Sequence, residues 1–225
     1  MTKTRETLPA DVCTNTTMNA GAWLTVVATV VLLGVAHQAW KPGEWLAKPL
    51  AAAGFVLSAW QHGALSSTYG TWVFAALVLS MGGDVALIPR TPRTFLAGLG
   101  LFLLGHVGFA GAFVARGVSW PATGAALAGL GVVLVVVMRW LMPKVPPNMR
   151  VPVLAYMAVI TAMVALSVGT LIAHGNAWIV VGAVCFYLSD LSVARDRFVA
   201  PGFSNKTWGW PLYFGAQLVF AATTP

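Results

Sequence analysis

Charged residues are scarce in this 225-residue sequence, making up 8% of it against roughly 25% in an average soluble domain. Hydrophobic residues fill 58% of the chain and its mean hydropathy is +0.80. That balance excludes a soluble enzyme, a nucleic-acid-binding protein and a disordered regulator. Cysteine is nearly missing as well. Cys13 stands in a polar N-terminal segment and Cys185 in an apolar run, so the pair offers neither a disulfide framework nor a zinc cluster. A small-residue cleavage pattern is lacking after the first apolar run, which therefore reads as a retained helix rather than a signal peptide.

Long apolar runs are what the chain has instead. They fall at about 21–39, 45–61, 70–88, 94–115, 120–142, 151–173, 176–194 and 207–222, each near the roughly 20 residues that a membrane-crossing helix needs. Polar or Pro/Gly-marked breaks separate them, among them Lys41 to Glu44, Arg90 to Arg93 and Pro201 to Lys206. Lipid gives backbone amides no water partners, so each run must be helical. The expected fold is all-α: one integral membrane domain over 1–225, a polytopic bundle of about eight helices behind a polar segment 1–20. The second and eighth runs are the shortest, and seven helices would also fit.

The net charge of +7 is an orientation signal. Ten of the thirteen basic residues (Lys41, Lys48, Arg90, Arg93, Arg139, Lys144, Arg150, Arg195, Arg197 and Lys206) belong to the loops after helices 1, 3, 5 and 7 or the helix ends beside them. Only Lys3, Arg5 and Arg116 belong to the other side. The positive-inside rule then places both termini away from the cytoplasm. Glycines of the fourth run (Gly98, Gly100, Gly105, Gly108 and Gly111) suit close helix packing. Tryptophans near span ends, such as Trp40, Trp45, Trp120, Trp140, Trp178, Trp208 and Trp210, suit interfacial anchoring.

Ionisable groups within a span cost roughly 2.5–3.5 kcal/mol on insertion scales, so each calls for a reason. Asp84, His106 and Asp190 qualify, with Lys48 in the first turn of helix 2. Tyr156, Tyr213 and Gln217 add polar groups, the last two sharing a face at i and i+4. In the orientation above, six helices place these groups in the cytoplasmic half, and His62 and His174 fall in outer loops. One-sided clustering argues for a polar cavity entered from the cytoplasm or inner leaflet. A structural role for the carboxyls would be an ion pair with Lys48 or a loop arginine, or for Asp84 a hydrogen bond to Ser80 four residues back. His37 and Asp196, at span ends, read as solvated.

No Gly-x-Ser-x-Gly elbow occurs, and only His106 is well placed among the histidines, short of the three protein ligands usual for catalytic zinc. What remains is a carboxyl pair. Two carboxyls in different surroundings can divide acid and base roles, one protonating and the other activating water. That chemistry suits an ether or acetal linkage and calls for no metal or cofactor.

Several segments carry a family likeness. Gly82-Gly83-Asp84-Val-Ala-Leu-Ile, then Phe95 and Gly-Leu-Phe-Leu-Leu-Gly-His106, resemble the first signature of the YhhN-like lysoplasmalogenase family. Lys48-Pro49-Leu50, Val-Pro152-Val-Leu-Ala-Tyr156, Gly182 through Asp190, Arg197-Phe198 and Tyr213-Phe-Gly-Ala-Gln217 resemble its later elements, in order. Phe109 departs, since a Tyr is expected there. The resemblance implies an integral membrane hydrolase, in a bacterial inner membrane, that cleaves the vinyl-ether bond of lysoplasmalogens. A fatty aldehyde and glycerophospho-ethanolamine or -choline would result. Asp84 and Asp190 would divide the catalytic roles. Lys48, on the cytoplasmic rim, would hold the substrate phosphate, while Ser80, His106, Tyr156, Tyr213 and Gln217 support the site. The expected partners are a lysophospholipid substrate and membrane lipid, not nucleic acid. A proton-coupled transporter using the same Asp pair is the alternative, and it requires water access from both sides. A lipid-binding scaffold without turnover ranks last. Asp84 and Asp190 lie four spans apart, which hints at a four-plus-four duplication.

Overall fold

A computed structural model of the protein describes residues 18–224. Cys13, Lys3 and Arg5 lie outside the described residues. Eight α-helices follow one another: α1 (Ala20–His37), α2 (Lys41–Gln61), α3 (Thr68–Leu87), α4 (Pro92–Arg116), α5 (Trp120–Leu141), α6 (Arg150–His174), α7 (Ala177–Ala194) and α8 (Phe203–Ala222). No strand occurs among the described residues. Six segments, built on all the helices except α2 and α8, are long and apolar enough to cross a membrane. The protein is an integral membrane protein with a polytopic helical fold.

Local chemistry sets the helix starts. Asn19, Ser67 and Asn176 accept hydrogen bonds from the backbone N–H of Ala22, Gly70 and Trp178, and Thr91 with Thr94 forms a capping box. The second and eighth runs, shortest by hydropathy, are complete helices that begin four residues earlier than expected. Pro42 fits the first turn of α2, where a missing N–H costs nothing. In α8 the polar start is held by Asn205, whose Nδ2 donates to Asp196 Oδ1 at 3.0 Å and to the Ala200 carbonyl at 2.8 Å. Asp196 is therefore a loop-fixing residue rather than a freely solvated one.

Helix order around the bundle explains where the site can form. α2, α3, α4, α6, α7 and α8 pack each on the next, and α8 returns to α2, closing a ring. α1 lies outside against α2 and α8, and α5 lies outside against α6. The six helices of the ring are those that carry Lys48, Asp84, His106, Tyr156, Asp190 and Tyr213. The ionisable residues of the outer helices, His37 of α1 and Arg139 of α5, stand only in their last turns. The packing order also repeats: α1 to α4 contact one another as α5 to α8 do, and α4 on α6 matches α8 on α2. The repeat is partial, since α1 packs on α8 while α5 makes no comparable contact with α4.

Small residues set the spacing. A Cβ on Gly105 would stand 3.1 Å from Ser80 Oγ and 3.3 Å from the Ala76 carbonyl oxygen, and one on Gly108 would stand 3.0 Å from Ala76 Cβ. Gly98 and Gly111 likewise face α3 side chains, whereas Gly100 faces open space. Most of the expected tryptophan anchors are exposed at the bundle's ends, as Trp40, Trp45, Trp120 and Trp178 show. Trp210 is the exception, because it lines an internal cavity.

Candidate active site

Short connections make neighbouring helices antiparallel, so the loops after α1, α3, α5 and α7 gather at one end. That basic end carries a cavity of about 360 Å³. Acid is rare in this chain, yet all four carboxyl groups of the described residues, Glu44, Asp84, Asp190 and Asp196, line this one cavity. Leu87, Leu99, Phe102, Val153 and Met157 give it apolar walls.

Asp84 sits one turn before the end of α3, where the last carbonyls of a helix lack partners. The side chain of Lys48 meets both needs at once. Its Nζ lies 3.2 Å from Asp84 Oδ1 and donates to the Asp84 backbone carbonyl at 3.1 Å. Tyr213 of α8 donates its hydroxyl to Asp84 Oδ2 at 2.6 Å. Gly83 makes room for this, because a Cβ there would stand 2.7 Å from the Phe102 ring. Lys48 is 9% exposed. Its charge is engaged by Asp84 in the cavity wall, the ion pair that the sequence also allowed for.

Asp190 has different company. Tyr156 of α6 donates to its Oδ2 at 2.7 Å, and His106 Nε2 of α4 lies 3.4 Å from the same oxygen. The two sites follow the repeated architecture. Each aspartate, on the third helix of its half, meets a residue of the second helix of that half and one of the fourth helix of the other half.

The histidine's tautomer follows from its neighbours. Its Nδ1 is 2.6 Å from the Phe102 carbonyl oxygen, which can only accept, so Nδ1 carries a hydrogen. Nε2 has no hydrogen-bond partner of good geometry, and it faces a carboxyl oxygen. A bare ring nitrogen and a carboxylate oxygen are both acceptors and repel. His106 Nε2 and Asp190 Oδ2 thus face each other at 3.4 Å, a contact that a shared proton would make favourable. Asp84 differs, already receiving an ammonium and a hydroxyl donor.

Other expected residues stand further back. Ser80 donates to the Ala76 carbonyl at 2.9 Å, not to Asp84, and is buried on the face that meets α4. His106 and Gln217 are fully buried and reach the cavity only through Asp190 and Tyr213. Gln217 leaves both amide atoms without a hydrogen-bond partner. Phe109 packs on Phe186 and Phe220, with ring centroids 6.2 and 4.3 Å away. Phe55, Phe109, Phe113 and Phe220, one or more turns further along their helices than the site residues, are fully buried, together with Ser58, Ser167 and Thr170. The site's mouth went unrecognised in the sequence: Glu44, Arg90 and Lys206 read as loop residues. The scarcity of acid was the available signal. Among the described residues no three His, Cys, Asp or Glu side chains converge as a metal-ligand set.

Residues 43–224 match the YhhN family, a span that takes in every charged and polar residue of this site. A protein of Mycobacterium bovis named "Lysoplasmalogenase" is 34% identical over 157 residues, covering 67% of this chain and 59% of the relative. The Mycobacterium tuberculosis protein of that name gives the same figures. "Lysoplasmalogenase TMEM86A" of Bos taurus is 28% identical over 165 residues, covering 70% of this chain and 66% of the relative. The chain thus spans less than two thirds of the length of the mycobacterial relatives it matches. No solved structure matches it. The chain belongs to the YhhN family.

Proposed function

We propose that the protein is a lysoplasmalogenase, hydrolysing the vinyl-ether bond of an alkenyl lysophospholipid to a fatty aldehyde and a glycerophospho-head group. The observation that carries this reading is the pair of aspartates facing one cavity with dissimilar partners. The names of the mycobacterial and bovine relatives support the reaction, and the apolar walls suit an alkenyl chain.

In this reading Asp190, with His106 behind it, supplies the proton. It goes to the outer alkenyl carbon, and positive charge develops at the carbon bonded to oxygen. Asp84 stays a carboxylate through Lys48 and Tyr213, and it takes a proton from water as that water adds to the cation. The resulting hemiacetal collapses: its hydroxyl proton passes to Asp190, the glycerol oxygen takes the proton held by Asp84, and aldehyde and alcohol separate. One water is consumed and both carboxyls return to their starting states. Tyr156 and Tyr213 hold the two carboxyls in place. The buried phenylalanines beyond the aspartates support a site open only at the basic end, which the positive-inside rule assigns to the cytoplasm. They give little support to a transport pathway, which needs access from both faces.

Purified protein offered a panel of lysolipids tests the reading. Aldehyde is expected from the alkenyl ether, and none from lysolipids with a saturated ether or an ester at the same position. Release of fatty acid from the ester at a rate matching or exceeding aldehyde release would overturn it.

A further inference from the structure

The mouth of the cavity holds charged groups that this chemistry does not use. The depth carries two carboxyls, Asp84 and Asp190, and one ammonium, Lys48; the mouth carries Glu44 and Asp196 against Arg90, Arg197 and Lys206. The mouth is therefore cationic by one charge. Asp196 is committed to the backbone N–H of Gly202 at 2.9 Å and to Asn205. Glu44 bridges Arg90 at 3.2 Å and Lys206 at 2.9 Å.

Arg197 has no acidic partner among the described residues. Its guanidinium lies over the Phe95 ring, 4.6 Å from the centroid. Stacking of this kind fixes the plane and leaves the N–H groups at its edge free to donate. The backbone presents it deliberately. Arg195–Val199 forms a π turn, closed by the Ala200 N–H on the Arg195 carbonyl at 2.8 Å. The wider turn brings the consecutive residues Asp196, Arg197 and Phe198 all to the cavity, and such turns recur at functional sites. Across the mouth, Lys206 is held by Glu44 and lies over Trp210, 4.9 Å from that ring's centroid.

We propose that Arg197 and Lys206 form the binding site for the phosphodiester of a lysolipid headgroup, at the cavity mouth above the two aspartates. The assignment rests on the lysoplasmalogenase reading for the identity of the lipid. One uncompensated positive charge meets one phosphodiester charge, and the planar guanidinium edge suits two phosphate oxygens. The glycerol unit then separates the anchored phosphate from the vinyl ether below, and the alkenyl chain follows the apolar walls.

Binding of a saturated alkyl-ether lysophospholipid, which this chemistry cannot cleave, reads the subsite apart from turnover. Arg197→Gln and, separately, Lys206→Gln are each expected to weaken that binding roughly tenfold or more, the scale of a lost charge-assisted hydrogen bond. Arg197→Lys is expected to recover part of it. The ratio of affinities for the lysophospholipid and for phosphate-free alkylglycerol should fall in each Gln variant. Equal losses on both ligands, or none on either, would overturn the subsite. So would inorganic phosphate competing as well as the lipid, which would make free phosphate the ligand. If the lysophospholipid binds as described but no vinyl ether yields aldehyde, the reaction fails and the subsite stands.

Discussion

An ammonium and a carboxylate removed together from water depend on each other. Lys48 and Asp84 are in that position, with side chains 11% and 3% exposed. Deleting one partner of such a pair costs about 3–5 kcal/mol, because the other charge is left buried and alone. Lys48→Met is therefore expected to lower the thermal unfolding temperature in detergent, and the double variant Lys48→Met/Asp84→Asn to regain most of the loss. In kinetics with a lysolipid substrate, Lys48→Met should depress kcat more than it raises KM, since the lysine holds the carboxylate that activates water. A rise in KM with unchanged kcat would return Lys48 to the phosphate. At this scale the sequence singled out the intramembrane polar residues and offered Lys48, a loop arginine and Ser80 as partners without choosing among them. Asp84, Asp190, His106, Tyr156 and Tyr213 stood out because ionisable and phenolic groups are rare in apolar runs. That Lys48 pairs with Asp84, and that Ser80 turns to its own backbone, depends on helix rotation, which hydropathy does not report.

Among the elements, a glycine's position rather than a helix's glycine content marks where helices touch: Gly124, Gly129 and Gly131 of the outer α5 meet nothing within 4 Å. Gly105 and Gly100 share α4 and differ only in what lies opposite. Gly105→Val forces a branched side chain onto Ser80 and the Ala76 carbonyl, and overpacking of this kind costs roughly 1–3 kcal/mol. A Cβ at Gly100 meets nothing within 4 Å, so Gly100→Val is expected to leave stability unchanged. Thermal denaturation of the two variants compares them directly; equal behaviour would mean that α3 and α4 do not rely on this contact. The number of helices was legible because lipid enforces apolar length. The starts of α2 and α8 were not. Their first turns are polar, and they are helical because Pro42 and the Asn205–Asp196 bond satisfy the ends, which no apolar run records. The glycines could be recognised as packing residues, but nothing in the spacing distinguished Gly100 from its neighbours.

Across the whole molecule, the ring of six helices joins two halves that are each incomplete. α1 to α4 supply Asp84, Lys48 and His106; α5 to α8 supply Asp190, Tyr156 and Tyr213. Each aspartate borrows a partner from the other half, so the cavity exists only where the halves meet. The two outer helices add apolar surface and carry ionisable residues, His37 and Arg139, only in their last turns. A site assembled in this way should need both acids. Aldehyde release from an alkenyl lysophospholipid by the parent protein, Asp84→Asn, Asp190→Asn and the double variant tests it most directly. Each single variant is expected to lose about 10²- to 10⁴-fold in kcat, the usual contribution of a positioned acid or base. The double variant should lose little more than the worse single one, because the groups act as a unit. Parental turnover in either single variant, with the fold intact, would contradict the two-carboxyl mechanism.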